Sequence, residues 1–226
     1  MAKQKPLRVE LSVNRAQKER PIISSLRQQI LERDDHTCQF CGFRSEKYQE
    51  IHCINQDYED HNPNNLVTSC FFCHQCFHLE KVTQMGSGVL IWMPEISQED
   101  LHHLARAIYV GRISQGVMAE TSRGVLELIM QRRDEVKQRL GSDDPYVLAM
   151  VLNDYISASS YQTRSQKLDG VRLFPLDRRK IKEANLEFNQ FPQILAYWRS
   201  KQGPFKDQQP VDWLPIFKGI TEQFAA

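Results

Sequence analysis

The chain has 226 residues, 41% apolar and 25% charged, and carries a net charge of +1. This composition is that of a globular protein with room for one substantial domain, or for a small metal module joined to a helical one. It lacks the basic surplus with which duplex binders neutralise phosphate, and no apolar run is long enough to span a bilayer, since Val82–Met93 is broken by Gly86 and Gly88.

Residues 1–22 read as an arm. They are charged throughout and have no apolar signal-peptide core. Residues 1–33 hold eight Lys or Arg against three Glu, a pattern that suits a solvated basic arm or an acidic partner. Within the arm, Leu7, Val9, Leu11 and Val13 alternate with polar residues, which predicts a short strand. Ser24 and Ser25 precede Leu26 and Ile30, so a short helix is expected over about 24–34. The six cysteines follow in residues 36–80. Val89–Trp92 is a short β-type run stopped by Pro94. Ser97 is placed to cap a helix, with Glu99 and Asp100 at its positive end and Leu101, Leu104, Ile108 and Tyr109 on one face. A second helix is expected over 117–140, ended by Gly141. Pro145 opens a third over about 145–157, and Asp177 a fourth over about 178–190. Pro192, Pro204, Pro210 and Pro215 then cut the tail into short pieces anchored by Trp198, Phe205, Trp213 and Phe217.

Cys38-Gln-Phe-Cys41 is followed by Gly42, and a second pair, Cys70-Phe-Phe-Cys73, lies beyond residues 42–69. Two residues between thiolates let a tight turn aim both sulfurs at one ion, and two such turns complete a tetrahedron. Cys38, Cys41, Cys70 and Cys73 are therefore expected to hold one structural zinc ion. The chain's expected location is cytoplasmic, where disulfides are rare. Cys76 extends the second knuckle and either replaces Cys73 or is a buried thiol. Cys53 reads as a core or second-site residue.

Between the knuckles lies Glu50-Ile-His52-Cys53-Ile54, then Asn64-Asn65-Leu-Val67, then His74 directly after Cys73. This arrangement resembles the zinc-knuckle HNH endonucleases. The resemblance implies His52 as first ligand of a catalytic metal, Asn65 as the residue bracing the loop, and His74 as last ligand. The alternatives are a satisfied strand histidine at position 52 and a surface histidine at position 74. The general-base position holds Cys53, and a thiol there does not relay protons as a neutral imidazole does. His36, His61, His78, His102 and His103 show no ligand spacing.

A wider set of residues narrows the match: Cys38-Gln-Phe-Cys41-Gly-Phe43, Tyr48-Gln49, Asn65-Leu-Val-Thr68, Cys70-Phe-Phe-Cys-His-Gln-Cys76-Phe77, Leu90-Ile-Trp-Met-Pro-Glu95 and Gln98-Glu-Asp-Leu101. Over about residues 24–105 the chain resembles the IcmJ (DotN) family of type IVB secretion systems. The resemblance implies a non-catalytic, degenerate HNH-like zinc protein that binds the coupling ATPase at the cytoplasmic face of the inner membrane and supports effector delivery. Phe71, Phe72, Phe77 and Trp92 are either apolar surface for such a partner or core. The competing readings are a metal-dependent HNH nuclease and a zinc-knuckle nucleic-acid binder using Arg172, Arg178, Arg179, Lys180 and Lys182, residues that otherwise form one solvated helix face. The expected fold is α+β: an arm over 1–22, a treble-clef or HNH-like ββα module over 23–96, a helical region over 97–200 and a tail over 201–226.

Overall fold

The structure is a computed structural model that describes residues 22–155 and 168–225; the strand expected over residues 7–13 lies outside them. The fold mixes helices with small antiparallel sheets, and the chain divides into two compact units, Met1–Leu79 and Glu80–Ala226.

The first unit opens with α1 (Ser24–Arg33), which starts after Ile23 with no side-chain cap. Strand β1 (Gln49–Cys53) pairs antiparallel with β2 (Leu66–Cys70), His52 facing Val67 across the ladder and Cys53 facing Leu66. β2 runs directly into the short helix α2 (Phe71–Gln75). Strand alternation sends neighbouring side chains to opposite faces. Ile51 and Cys53 accordingly join Ile30, Leu31 and Leu66 in a small apolar cluster, with Ile22, Leu26 and Tyr58 packed at its edge. His52 points the other way, where Phe77 stacks on its ring at 4.1 Å. Asp34, at the end of α1, accepts a 2.8 Å hydrogen bond from the Thr68 backbone N–H and another from Arg33 Nε. Burial pushes the Asp34 carboxyl upward, but these bonds outweigh it and hold the group below its ordinary value.

The second unit begins with α3 (most of Leu79–Met85) and is organised around β3 (Gly88–Trp92). β3 pairs antiparallel with β4 (Val171–Pro175), Leu90 opposite Leu173. The sequence reading grouped Val89–Trp92 with the cysteine module; its ladder partner instead lies some eighty residues downstream in this second unit. Helices α4 (Gln98–Arg112) and α5 (Val117–Leu140) pack against each other, α4 also against β4 and α5 against β3. Ser97 caps α4 by accepting from the Asp100 N–H, and Gly141 ends α5 in the left-handed conformation at φ 80°. At the α4–α5 crossing a Cβ on Gly111 would lie 2.2 Å from Ser122 Oγ, so only glycine permits the approach. Leu90, Ile91, Leu101, Ala105, Ile108, Val125 and Ile129 are fully buried.

Two polar side chains complete that core. Gln98 donates to the Leu173 carbonyl at 2.8 Å and accepts from the Leu173 N–H at 2.9 Å, standing in for a neighbouring strand. Tyr109 donates to the Pro175 carbonyl at 2.6 Å, and burial pushes its hydroxyl well above the usual range, so it remains a donor. Helix α6 (Pro145–Tyr155) starts where the proline placed it.

The helix expected over 178–190 is absent. Lys180–Glu183 (β5) and Leu186–Asn189 (β6) form a hairpin, with Ile181 opposite Phe188. Ala184 occupies the turn at φ 52°. Alternation of Lys180, Ile181, Lys182 against Glu187, Phe188 has period two, and Lys180 and Lys182 both pair with Glu187, at 3.5 and 3.6 Å. The basic run is therefore a hairpin edge plus Arg172 on β4, not a helix face; Arg172 donates to the Ile96 carbonyl. The tail is more ordered than four prolines suggested. Pro192 and Pro215 sit in the first turns of α7 (Phe191–Arg199) and α8 (Leu214–Ala225), where a missing N–H costs little. Trp198, Phe205 and Trp213 form a chain of edge-to-face contacts, at 6.0 and 5.9 Å.

Candidate metal centres

The first knuckle is a tight loop closed by local bonds. Thr37 bridges to Arg44, Cys38 N–H donates to the Phe43 carbonyl, and Gly42 N–H donates back to Cys38. Gly42 takes φ 73°, which a side chain would resist. Gln39 N–H donates to the Thr68 carbonyl at 2.9 Å and so fixes the loop against β2. The second knuckle uses a strand-to-helix junction. Cys70 closes β2 and caps α2, its sulfur accepting from the Cys73 N–H at 3.4 Å.

These two devices bring the sulfurs of Cys38, Cys41, Cys70 and Cys73 within 4.8 Å of one another, all four residues being buried. Cys41 and Cys70 are 3.7 Å apart, Sγ to Sγ. A tetrahedron with metal–sulfur bonds of about 2.3 Å has edges of about 3.8 Å, so the donor set fits one ion of zinc size. Burial pushes the Cys70 and Cys73 thiols well above the ordinary range, and their neighbouring sulfurs add to the effect. Cys38 meets the same burial penalty, but hydrogen bonds from Cys70 and Cys73 leave it lowered. Four sulfurs confined this closely are reconciled by a shared cation, which stabilises the thiolate form. Cys76 is outside the group; it is fully buried and its thiol lies 3.7 Å from the Phe72 carbonyl.

A second cluster lies in the same unit. Ring nitrogens of His52, His74 and His78 come within 4.8 Å of one another. His52 comes from β1, His74 from α2, and His78 from the turns that continue it, in which Phe77 N–H donates to His74 and His78 N–H to Gln75. Sequence reasoning placed His52 and His74 as related positions and passed over His78. The signal was available: residues four apart share a helix face, and His74 and His78 are four apart. Phe40 meets the His52 ring edge at 5.5 Å.

Asn65 supports the loop between the strands. Its carbonyl oxygen accepts from the Asn55 N–H at 3.0 Å, and its amide donates to the Asp60 carbonyl at 2.9 Å. Cys53 is 1% exposed and belongs to the apolar cluster on the opposite face of β1 from His52. Phe71, Phe72 and Phe77 are buried, so they are packing residues rather than open surface. Trp92 is half-buried in the second unit, and the Arg139 guanidinium lies 3.9 Å from the centre of its ring.

No family model matches the chain. A curated relative does: the type 4 apparatus protein DotN of Legionella pneumophila is 32% identical over 155 residues, covering 67% of this chain and 72% of the relative. The chain belongs to the DotN family. The match extends well past the knuckles, because 155 residues exceed the 79 of the first unit. DotN membership bears out the resemblance read from the sequence motifs. Among the described residues no helix is long and apolar enough to cross a membrane.

Proposed function

We propose that this chain, like the relative whose name places it in the type 4 apparatus, is a structural subunit of a type IVB secretion system. In this reading it is an adaptor of the coupling complex that binds the coupling ATPase, lies peripherally at the cytoplasmic face of the inner membrane and supports effector delivery. The observation that carries the proposal is the 32% identity to DotN across two thirds of the chain. The ion held by Cys38, Cys41, Cys70 and Cys73 is zinc: an all-sulfur set of buried, closed ligands suits a structural zinc site with no open position. The ion would tie together two knuckles whose small loops bury too little surface to hold themselves. We read β1, β2 and α2 as a degenerate HNH-like ββα unit of treble-clef type. Its non-catalytic character is supported by Cys53, which packs among Ile30, Ile51 and Leu66 instead of facing the imidazoles.

Affinity purification of the tagged chain from its native cell at near-physiological salt tests this reading. A membrane-associated ATPase recovered in near one-to-one amount is the expected result. Recovery of nucleic acid, with no stoichiometric protein, would overturn it. The histidine cluster favours one competing reading, a metal-dependent HNH-type endonuclease with His52 and His74 as ligands. That enzyme would cleave plasmid DNA with Mg2+, Mn2+ or Ni2+ and lose the activity in His52→Ala; the adaptor reading expects no cleavage with any of the three.

A further inference from the structure

Helix α4 buries a polar stripe as well as an apolar one. Gln98, His102 and Arg106 follow one another at helical spacing and share one face, and they are 3%, 0% and 1% exposed. Polar side chains this deep are held by specific bonds, and those of Gln98 decide the state of the imidazole. Gln98 lies against Leu173, in the middle of β4. The Leu173 N–H can only donate, so it faces Gln98 Oε1, at 2.9 Å. The Leu173 carbonyl can only accept, so it faces Gln98 Nε2, at 2.8 Å. The strand backbone thereby fixes which way round the amide stands. Gln98 Nε2 is also 2.9 Å from His102 Nε2. An amide nitrogen offers two donors and no acceptor, so one hydrogen goes to the strand and the other to the ring. His102 must then present a lone pair at Nε2, as a neutral imidazole with its hydrogen on Nδ1.

Protonation of His102 would set an N–H on Nε2 against the amide NH2. Relief requires the amide to turn over, which puts its NH2 against the Leu173 N–H and its oxygen against the Leu173 carbonyl. One proton on the ring therefore breaks both bonds from Gln98 to β4. The surroundings oppose the charge as well. Arg106, one turn further along the same face, is permanently cationic and buried. Helices α5 and α7, which pack on α4, have no titratable group among their buried residues. Arg172 of β4 donates to the Ile96 carbonyl and has Glu95, Glu99 and Asp169 as its acidic neighbours. Asp212, in the short helix over Pro210–Trp213, is exposed, as is His103. Tyr109 is engaged with the Pro175 carbonyl.

We propose that Gln98 and His102 form an acid-sensitive latch that holds β4 to α4, closed while the imidazole is neutral and opened by its protonation. Opening frees the edge of β4 that faces away from β3. The latch belongs to the fold of the second unit and does not rest on the secretion reading. Its sign follows from where the proton can go. In the open form the ring charges near the ordinary histidine value of about 6.5. In the closed form Nε2 has no room for a proton. The closed form is therefore fully favoured above that value and loses ground as pH falls below it. Between pH 7 and pH 5 the ratio of open to closed forms rises by up to about 25-fold, the change expected of an ordinary imidazole that charges only when open.

Two NMR measurements on the purified, zinc-loaded full chain test the latch. Imidazole nitrogen shifts at pH 7 should show His102 as the neutral Nδ1–H tautomer, with Nε2 unprotonated. Native-state exchange of the Leu173 N–H, corrected for the intrinsic effect of pH, should then lose protection between pH 7 and pH 5 by up to about 25-fold. In His102→Gln the side chain offers Gln98 an oxygen that does not titrate, and the acid loss at Leu173 should disappear. Should His102→Gln fail to fold, the unaltered chain decides: the His102 ring and the Leu173 exchange should respond over the same pH range. An Nε2–H tautomer or a charged ring at pH 7 would overturn the proposal. So would an equal acid loss in His102→Gln, or a ring that titrates while Leu173 protection stays constant.

Discussion

The two units differ in what their buried interiors are made of. The second builds a conventional core: β3 and α4–α5 bury Leu90, Ile91, Leu101, Ile108, Val125 and Ile129 completely. The first buries one small cluster, Ile30, Leu31, Ile51, Cys53 and Leu66, and gathers Phe40, Phe71, Phe72 and Phe77 beside four buried sulfurs. For a unit this small, a structural metal is one of the few further sources of stability available. On the proposed zinc reading, a single polypeptide carries one region stable by packing and another whose stability depends on ligation. Each should then fail under a different insult.

The largest effect should come from the sulfurs. Cys70→Ser removes one ligand and the cap of α2 together, and zinc-binding free energies of roughly 10–16 kcal/mol in small zinc peptides set the scale. The expected outcome is loss of bound zinc and of the dispersed methyl and amide NMR signals of residues 22–79, with those of residues 88–140 retained. Next is Leu90→Ala, which leaves a cavity in the second unit and should cost about 2–5 kcal/mol. Denaturant titration should show the midpoint of that unit falling while metal content stays at its original value. If Leu90→Ala instead released zinc, the division between the two routes would fail.

Smaller changes sharpen the same contrast. Asp34→Asn removes a charged acceptor from Thr68 N–H and Arg33 and should cost about 1 kcal/mol at neutral pH. The folded carboxyl is held low, so its contribution is present above the unfolded value near pH 4 and is lost as pH falls through the lower folded value. The variant should therefore trail the unaltered chain at pH 7 and approach it in acid, as followed by urea unfolding at constant zinc. Gly141→Ala places a side chain at φ 80° at the end of α5 and should cost about 1 kcal/mol, confined to the second unit. Thermal unfolding in the presence and absence of a chelator separates that loss from any in the first unit.

What could be read in advance follows the range of the interactions. The knuckles are local, and the grouping of Cys38, Cys41, Cys70 and Cys73 was legible from their spacing. So were the caps, because Ser97 and Gly141 act within one turn. The family was legible because its motifs are short and specific. Strand β3 was recognised, but its pairing with Val171–Pro175 is non-local, and nothing in the intervening chain specifies it. The hairpin over residues 180–189 was misread because charged residues fit either periodicity, and the deciding features were the cross-strand pair Ile181–Phe188 and the turn at Ala184. His78 was set aside with the other histidines for want of ligand spacing, because its approach to His52 is made by tertiary packing. The facing of Cys53 followed from strand alternation once His52 was placed, since adjacent residues cannot share a face. Phe71, Phe72 and Phe77 were buried by tertiary packing that composition does not report.

Hydrogen exchange followed by mass spectrometry, with and without a strong zinc chelator, tests most directly whether the first unit is held by metal. Removal of the ion should abolish protection across residues 36–79 while leaving α4, α5 and β3 protected, and restored zinc should bring the protection back. Protection of residues 36–79 that survives complete removal of metal would show that the unit holds itself by packing, and the zinc-stabilised adaptor would have to be abandoned.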